Sequence, residues 1–148
     1  MIALRFPLLF ALALLAGAGC AGPPIPHDPD VVDVTLPAPI EEVRTAVIQV
    51  LTNGGYALDQ QDDQNLTTGY REEIRSPWDR LLRWRFGTGR SRVDAVVTMA
   101  DQQMSRLRLH VQYEAKDGLF TRWEDSPPAL PQSAENQLRL IKNALRIL

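Results

Sequence analysis

Two hydrophobic periods divide most of this chain into strands and helices. From Val31 to Leu36, Val32, Val34 and Leu36 alternate with Val31, Asp33 and Thr35, which predicts a half-buried strand. Pro37 and Pro39 end it, and Pro39 suits the first turn of a helix. Ile40, Val43, Ala46, Val47, Val50 and Leu51 then fall on one helical stripe, with Glu41 and Glu42 near its positive N-terminal end. Asn53-Gly54-Gly55 stops this helix, because such residues take left-handed conformations cheaply. Tyr56 to Gln60 predicts a short strand, and Asp62-Asp63-Gln64-Asn65 a polar turn. The chain returns from Leu66 to Ile74 with Leu66, Thr68, Tyr70 and Ile74 on one face. Glu72 shares that face, so this strand is expected to leave the core or bulge near its end.

The strictest alternation comes later. From Arg92 to Ala100, Val93, Ala95, Val97 and Met99 lie on one side. From Arg106 to Glu114, Leu107, Leu109, Val111 and Tyr113 oppose Arg106, Arg108, His110, Gln112 and Glu114. Such a pattern predicts an antiparallel sheet with one wet face, its two clearest strands joined at Asp101-Gln102-Gln103. Pro127, Pro128 and Pro131 force a loop before Ser133, which caps a final helix buried along Leu138, Ile141, Leu145 and Leu148. The expected fold is therefore α+β: an antiparallel sheet of about five strands with two helices on one face, in the order β-α-β-β-β-β-α.

A different pattern precedes all this. Arg5 is followed by an apolar run from Phe6 to Ala16, too short to span a bilayer comfortably, and then by small residues leading to the only cysteine, Cys20. This predicts a signal peptide over residues 1–19. Ala18-Gly19-Cys20 resembles the lipobox of bacterial lipoproteins, although Gly17 stands where a branched aliphatic residue is usual. The resemblance implies lipidation of Cys20, with acyl chains on its thiol and freed amino group. An ordinary secretory signal would leave a spare thiol instead. Ala21 follows where aspartate would signal inner-membrane retention, so for a Gram-negative source the resemblance implies an outer-membrane anchor with the domain facing the periplasm. Removing 19 of the 148 residues takes the formal net charge from -2 to -3 and leaves enough chain for one domain over residues 31–148. Residues 20–30 include AGPPIPHDP, a proline-rich tether in which His27 has no fixed partner.

The order of elements also resembles a family. The segments "LPAPIEEVRTAVIQVLTNGGYAL", "LTTGY" and "RSRVDAVVTM", with Trp123 before the last helix, are similar to helix-grip domains of envelope lipoproteins. The nearest pattern is that of the C component of the barrel-assembly machinery. That component carries two such domains after a long unstructured segment, whereas one domain after a short tether is read here. The resemblance implies a non-catalytic scaffold or accessory subunit of an envelope complex.

Candidate chemistry concentrates in RSPWDRLLRWRFGTGRSR, residues 75–92. Arg75, Arg80, Arg83, Arg85, Arg90 and Arg92 stand against one acid, Asp79, and are interleaved with Trp78, Trp84 and Phe86. Arginine forks bind phosphate or carboxylate, and tryptophan favours membrane interfaces, so this segment is a candidate contact surface for anionic lipid or an acidic envelope partner. A structural hairpin with solvated arginines is the other reading. Arg71, Arg92, Asp94, Arg106, Arg108 and His110 are expected together on the wet face of the sheet. The pattern implies no enzyme, cofactor or metal. No serine lies in a nucleophile elbow, two distant histidines make no ligand set, and Gly87-Thr88-Gly89 lacks the lysine of a phosphate loop. The acidic balance and secretory leader argue against nucleic acid. The expected function is a non-catalytic outer-membrane lipoprotein acting as scaffold or accessory subunit. The alternative is a periplasmic carrier or sensor holding an apolar ligand between helix and sheet. A scaffold should have its core closed by Val47, Val97, Leu109 and Ile141.

Overall fold

A computed structural model describes residues 28–72, 88–116, 121–127 and 132–147. Within them the chain forms β1 (Asp30–Leu36), α1 (Ile40–Asn53), β2 (Leu58–Gln61), β3 (Asn65–Thr68), β4 (Arg71–Glu72), β5 (Thr88–Asp101), β6 (Met104–Lys116), β7 (Glu124–Asp125) and α2 (Ala134–Ala144). The sheet is antiparallel in the order β1-β6-β5-β3-β2, with β4 paired to β5 and β7 to β6. Both helices pack on one face of it. This is the α+β arrangement that the two hydrophobic periods predict. β1 begins at Asp30, one residue before the expected Val31.

Register explains why alternation was so clear in β5 and β6. Leu109 lies between Val32 of β1 and Ala95 of β5, and Leu107 between Val34 and Val97. These rows face the helices and meet Val43, Ala46, Val47 and Leu51 of α1 with Ala134, Leu138 and Ile141 of α2 in one core. Full burial of such a side chain stabilises by about 1.5–3 kcal/mol. Val47, Val97, Leu109 and Ile141 are all within 1 % of complete burial. Leu145 packs at the edge of this core, and Leu148 lies outside the described residues.

The helix boundaries follow local chemistry. Pro39 starts α1 through its carbonyl, which accepts the Glu42 and Val43 N–H groups at 3.1 Å. At the other end Gly55 adopts φ +84°, a left-handed conformation that favours glycine. α2 begins at Ser133, whose hydroxyl accepts the Asn136 N–H at 3.4 Å. Asp30 adds a longer-range tie, its Oδ2 accepting from the Ala134 N–H at 2.9 Å and from the Tyr113 hydroxyl at 3.0 Å.

Two expected orientations are corrected. Met99 is 65 % exposed rather than buried: it pairs in register with the inward Ser105, but it stands at the hairpin end of β5, next to the exposed Ala100 and Asp101. Tyr70 is 39 % exposed and does not share the face of Leu66 and Thr68. Thr67 pairs with Asp94 whereas Arg71 pairs with Ser91, so one extra residue sits in the lower strand. Such an insertion reverses the alternation beyond it. Gly69 lies at this point, its N–H donating to the Ala57 carbonyl at 2.9 Å. A Cβ there would approach Asp59 Oδ1 to 3.0 Å, a contact with a flexible, exposed carboxylate. Thr68 Oγ1 accepts the Val93 N–H at 2.8 Å within the interrupted stretch. The expected face change is therefore present, but it comes before Tyr70 rather than at Glu72, and Ile74 lies outside the described residues.

Candidate functional site

Of the expected contact residues, Arg90 and Arg92 are described. Both point away from the helices on β5, because Ser91 and Val93 between and beside them point inward. Cys20, Arg75, Trp78, Arg80, Arg83, Trp84, Arg85 and Phe86 lie outside the described residues, as does His27.

Pairing in the sheet surrounds Arg90 with partners from three other segments. Glu114 is opposite it on β6, Tyr70 comes from the bulge before β4, and Trp123 precedes β7, which pairs with the end of β6. The Arg90 guanidinium carbon is 3.9 Å from the Tyr70 ring centroid and 4.0 Å from that of Trp123. Its edge donates to Glu114 through Nε at 2.7 Å and through Nη2. The Tyr70 hydroxyl donates to the other Glu114 oxygen at 2.6 Å. Lys116 Nζ sits 4.6 Å from the Trp123 ring centroid, and the Arg92 guanidinium carbon 5.4 Å from that of Tyr70. Cations and rings thus alternate as Lys116, Trp123, Arg90, Tyr70 and Arg92. Cation–π contacts of this kind contribute about 0.5–2 kcal/mol each, according to exposure.

The two predicted arginines therefore differ in availability. Arg90 uses both faces on rings and its edge on a carboxylate, so its charge is satisfied within the fold. Arg92 donates Nε to the neutral Gln112 Oε1 at 2.7 Å, and neither it nor Lys116 forms an ion pair among the described residues. Arg92 and Lys116 are the cations this array presents outward. The rest of the wet face continues along the same strands. Asp94 pairs with His110, and Arg106 donates to Asp33 at 2.7 and 2.9 Å. That bond, aided by the Arg106 and Arg108 charges, holds the Asp33 carboxyl below its ordinary value against the opposing effect of desolvation. Arg71, expected here, instead lies on the helix side of the sheet.

Sequence reading missed Tyr70, Trp123, Lys116 and the acceptor role of Glu114. Glu114 was visible on the outward face of β6, but its partners meet it only through non-local pairing. Ser91 and Ser105 serve the core: Ser91 Oγ is 2.9 Å from the Tyr56 hydroxyl, and Ser105 Oγ donates to the Ala38 carbonyl at 2.8 Å. Among the described residues no group of three or more His, Cys, Asp or Glu side chains is placed to hold a metal, and no helix is long and apolar enough to cross a membrane.

The array has a pH signature. Burial alone would raise the Glu114 carboxyl, but hydrogen bonds from Tyr70 and Arg90 and the charges of Arg90 and Arg92 outweigh it and hold the group below its ordinary 4.5. Burial, then the bond to Glu114 and its charge, push the Tyr70 hydroxyl above its ordinary 10.0 against the opposing charges of Arg92 and Arg90. A lowered carboxylate contributes stability that is complete above its unfolded value and lost as pH falls through the folded one. A raised phenol contributes stability that is complete below its unfolded value and lost as pH rises through the folded one. Stability from this cluster is thus expected to hold between roughly pH 4.5 and pH 10 and decline on both sides. Urea midpoints measured against pH should show it, and Glu114→Gln should flatten the acid limb; an unchanged acid limb would count against this account.

The chain matches no protein-family model and no curated protein sequence.

Proposed function

We propose that this chain is a lipid-anchored, non-catalytic scaffold or accessory subunit of a bacterial envelope complex. It is held to the outer membrane through Cys20, with its domain in the periplasm. Its contact surface is the end of the sheet bearing Arg92, Lys116 and the arginine-rich segment 75–92, and that surface faces anionic lipid head groups.

The observation that carries this reading is topological. Asp30, where the tether joins the domain, pairs with Val111, and the chain before it runs toward the Lys116 end of β6. Glu72 and Thr88, which flank the segment 73–87, pair with Arg90 and Lys116 at that same end. The residues that adjoin the tether and the basic segment thus lie at one end of the sheet. The ten residue steps from Cys20 to Asp30 can reach about 30 Å in an extended, proline-rich form. Three residue steps, about 10 Å, separate the level of Asp30 from that of Arg90 and Glu114. An acylated Cys20 would therefore hold this end near the bilayer, where each basic residue adds about 1 kcal/mol of attraction to an anionic surface. The closed core at Val47, Val97, Leu109 and Ile141 supports a scaffold over a carrier of apolar ligands, which needs a cavity there.

Cys20→Ser is expected to abolish incorporation of radiolabelled palmitate while leaving the melting temperature unchanged, since Cys20 precedes the domain. Equal incorporation in both chains would remove the anchor. A soluble chain starting at Ala21, with Arg80, Arg83 and Arg85 changed to Gln, should keep its fold. It should bind anionic vesicles roughly a hundredfold more weakly, with less dependence on salt. If the triple change unfolds the domain, the segment is a structural hairpin; if vesicle binding is unaltered, its arginines are a solvated face.

A further inference from the structure

The residue inserted near Gly69 turns Tyr70 to the wet face and Arg71 to the helices. Arg71 pairs with the buried Ser91 in the ladder, and its guanidinium carbon lies 5.5 Å from the Tyr56 ring centroid. It forms no ion pair among the described residues. A half-buried cation without a counter-ion is costly to keep unless something supplies one.

Beside it lies a cleft of about 470 Å³ between the C-terminal part of α1 and one side of α2, lined by Arg71, Val50, Asn53, Gln132, Gln137 and Leu140 among others. Gln132 and Gln137 are 5 % and 4 % exposed, and the Oε1 of each is buried with no hydrogen-bond partner among the described residues. Gln137 belongs to the stripe that Ala134, Leu138 and Ile141 fill with apolar groups. An apolar side chain of similar size there would avoid the penalty of an unsatisfied carbonyl. The side chains that carry these two acceptors thus line one cleft with a cation that has no ion pair among the described residues. The helix N-terminus beside them is already occupied, since Asp30 takes the Ala134 N–H and Ser133 the Asn136 N–H.

The complementary ligand bears an anionic oxygen pair for the arginine fork and N–H donors for the two glutamines. Val50 and Leu140 add an apolar wall for a short side chain. We propose that this cleft binds the free C-terminal end of a peptide, with the carboxylate on Arg71 and backbone N–H groups on Gln132 and Gln137. A free amino acid offers the same carboxylate but carries an ammonium where the peptide carries an amide. The site does not depend on the lipid anchor or on the basic segment.

The test is a calorimetric titration of the full chain in detergent with N-acetyl-alanyl-alanine, its C-terminal amide, and free alanine. Saturable binding of the acid in the millimolar range or tighter is expected, with the amide and alanine at least roughly tenfold weaker. Arg71→Lys keeps the charge without the fork and should also weaken binding at least roughly tenfold. Gln137→Leu should weaken it similarly while melting at the same or a higher temperature, a combination that a purely structural glutamine would not produce. Absence of saturable binding, equal binding of the amide or of alanine, or unchanged binding by Arg71→Lys would each overturn the proposal.

Discussion

Leu109→Ala is expected to lower the free energy of unfolding by about 2–5 kcal/mol, whereas Arg108→Ala next to it should cost well under 1 kcal/mol. Leu109 is completely buried in the middle of β6, flanked in register by Val32 and Ala95 and covered by the helices. Truncation removes its transfer free energy and leaves a cavity that a sheet paired on both sides cannot collapse to fill. Arg108 points to the wet face, where its stem and charge remain hydrated. Urea midpoints for the two variants would compare them directly. The reverse ranking would place β6 one residue out of register, and then Leu107 and Val97 would have to face water as well.

Asp30→Ala should be nearly as damaging, at about 2–4 kcal/mol, although aspartate at the first position of an edge strand looks dispensable. One carboxylate oxygen accepts from both the Tyr113 hydroxyl and the Ala134 N–H. Tyr113 is 7 % exposed and Ala134 fully buried, so the Ala134 N–H would lose its acceptor away from water and the Tyr113 hydroxyl would lose this bond. Asp30→Asn keeps an acceptor without the charge and should recover part of the loss. Hydrogen exchange would add a local readout, with faster exchange expected in the first turn of α2. A cost below about 0.5 kcal/mol for the alanine variant would mean that water replaces the carboxylate at both donors.

Those two predictions differ in how much of their basis a reader of the sequence could see. The burial of Leu109 was legible because β6 is wet on one face and dry on the other, so chemistry alternates with geometry along it. The stripe of α1 was legible for the same reason at helical period. Asp30 was not, since its partners lie on β6 and α2 and nothing near Asp30 in sequence announces them. The inserted residue was visible only as a conflict, with Glu72 on an apolar face; its position shows only in the pairing of Thr67 with Asp94 and of Arg71 with Ser91. The contact array was half legible. Arg90 and Arg92 sit two apart on a strand and so share a face, but the rings that sandwich Arg90 belong to Tyr70 and Trp123. The aromatic residues read as interleaved with the arginines of that segment, Trp78, Trp84 and Phe86, lie outside the described residues. Gln137 escaped notice because a glutamine within a helix reads as solvated, and only packing reveals it on the buried stripe.

The extra residue near Gly69 also has a consequence for how this chain can change. Adjacent side chains, Tyr70 and Arg71, serve opposite faces of one sheet, and a single backbone irregularity assigns each to its side. Deleting one residue there would exchange their destinations, sending a phenol toward the helices and a guanidinium toward the wet face. Substitutions at Tyr70 or Arg71 can alter one face at a time. Changes in chain length at that point cannot, so the two faces are joined in inheritance although no side chain links them.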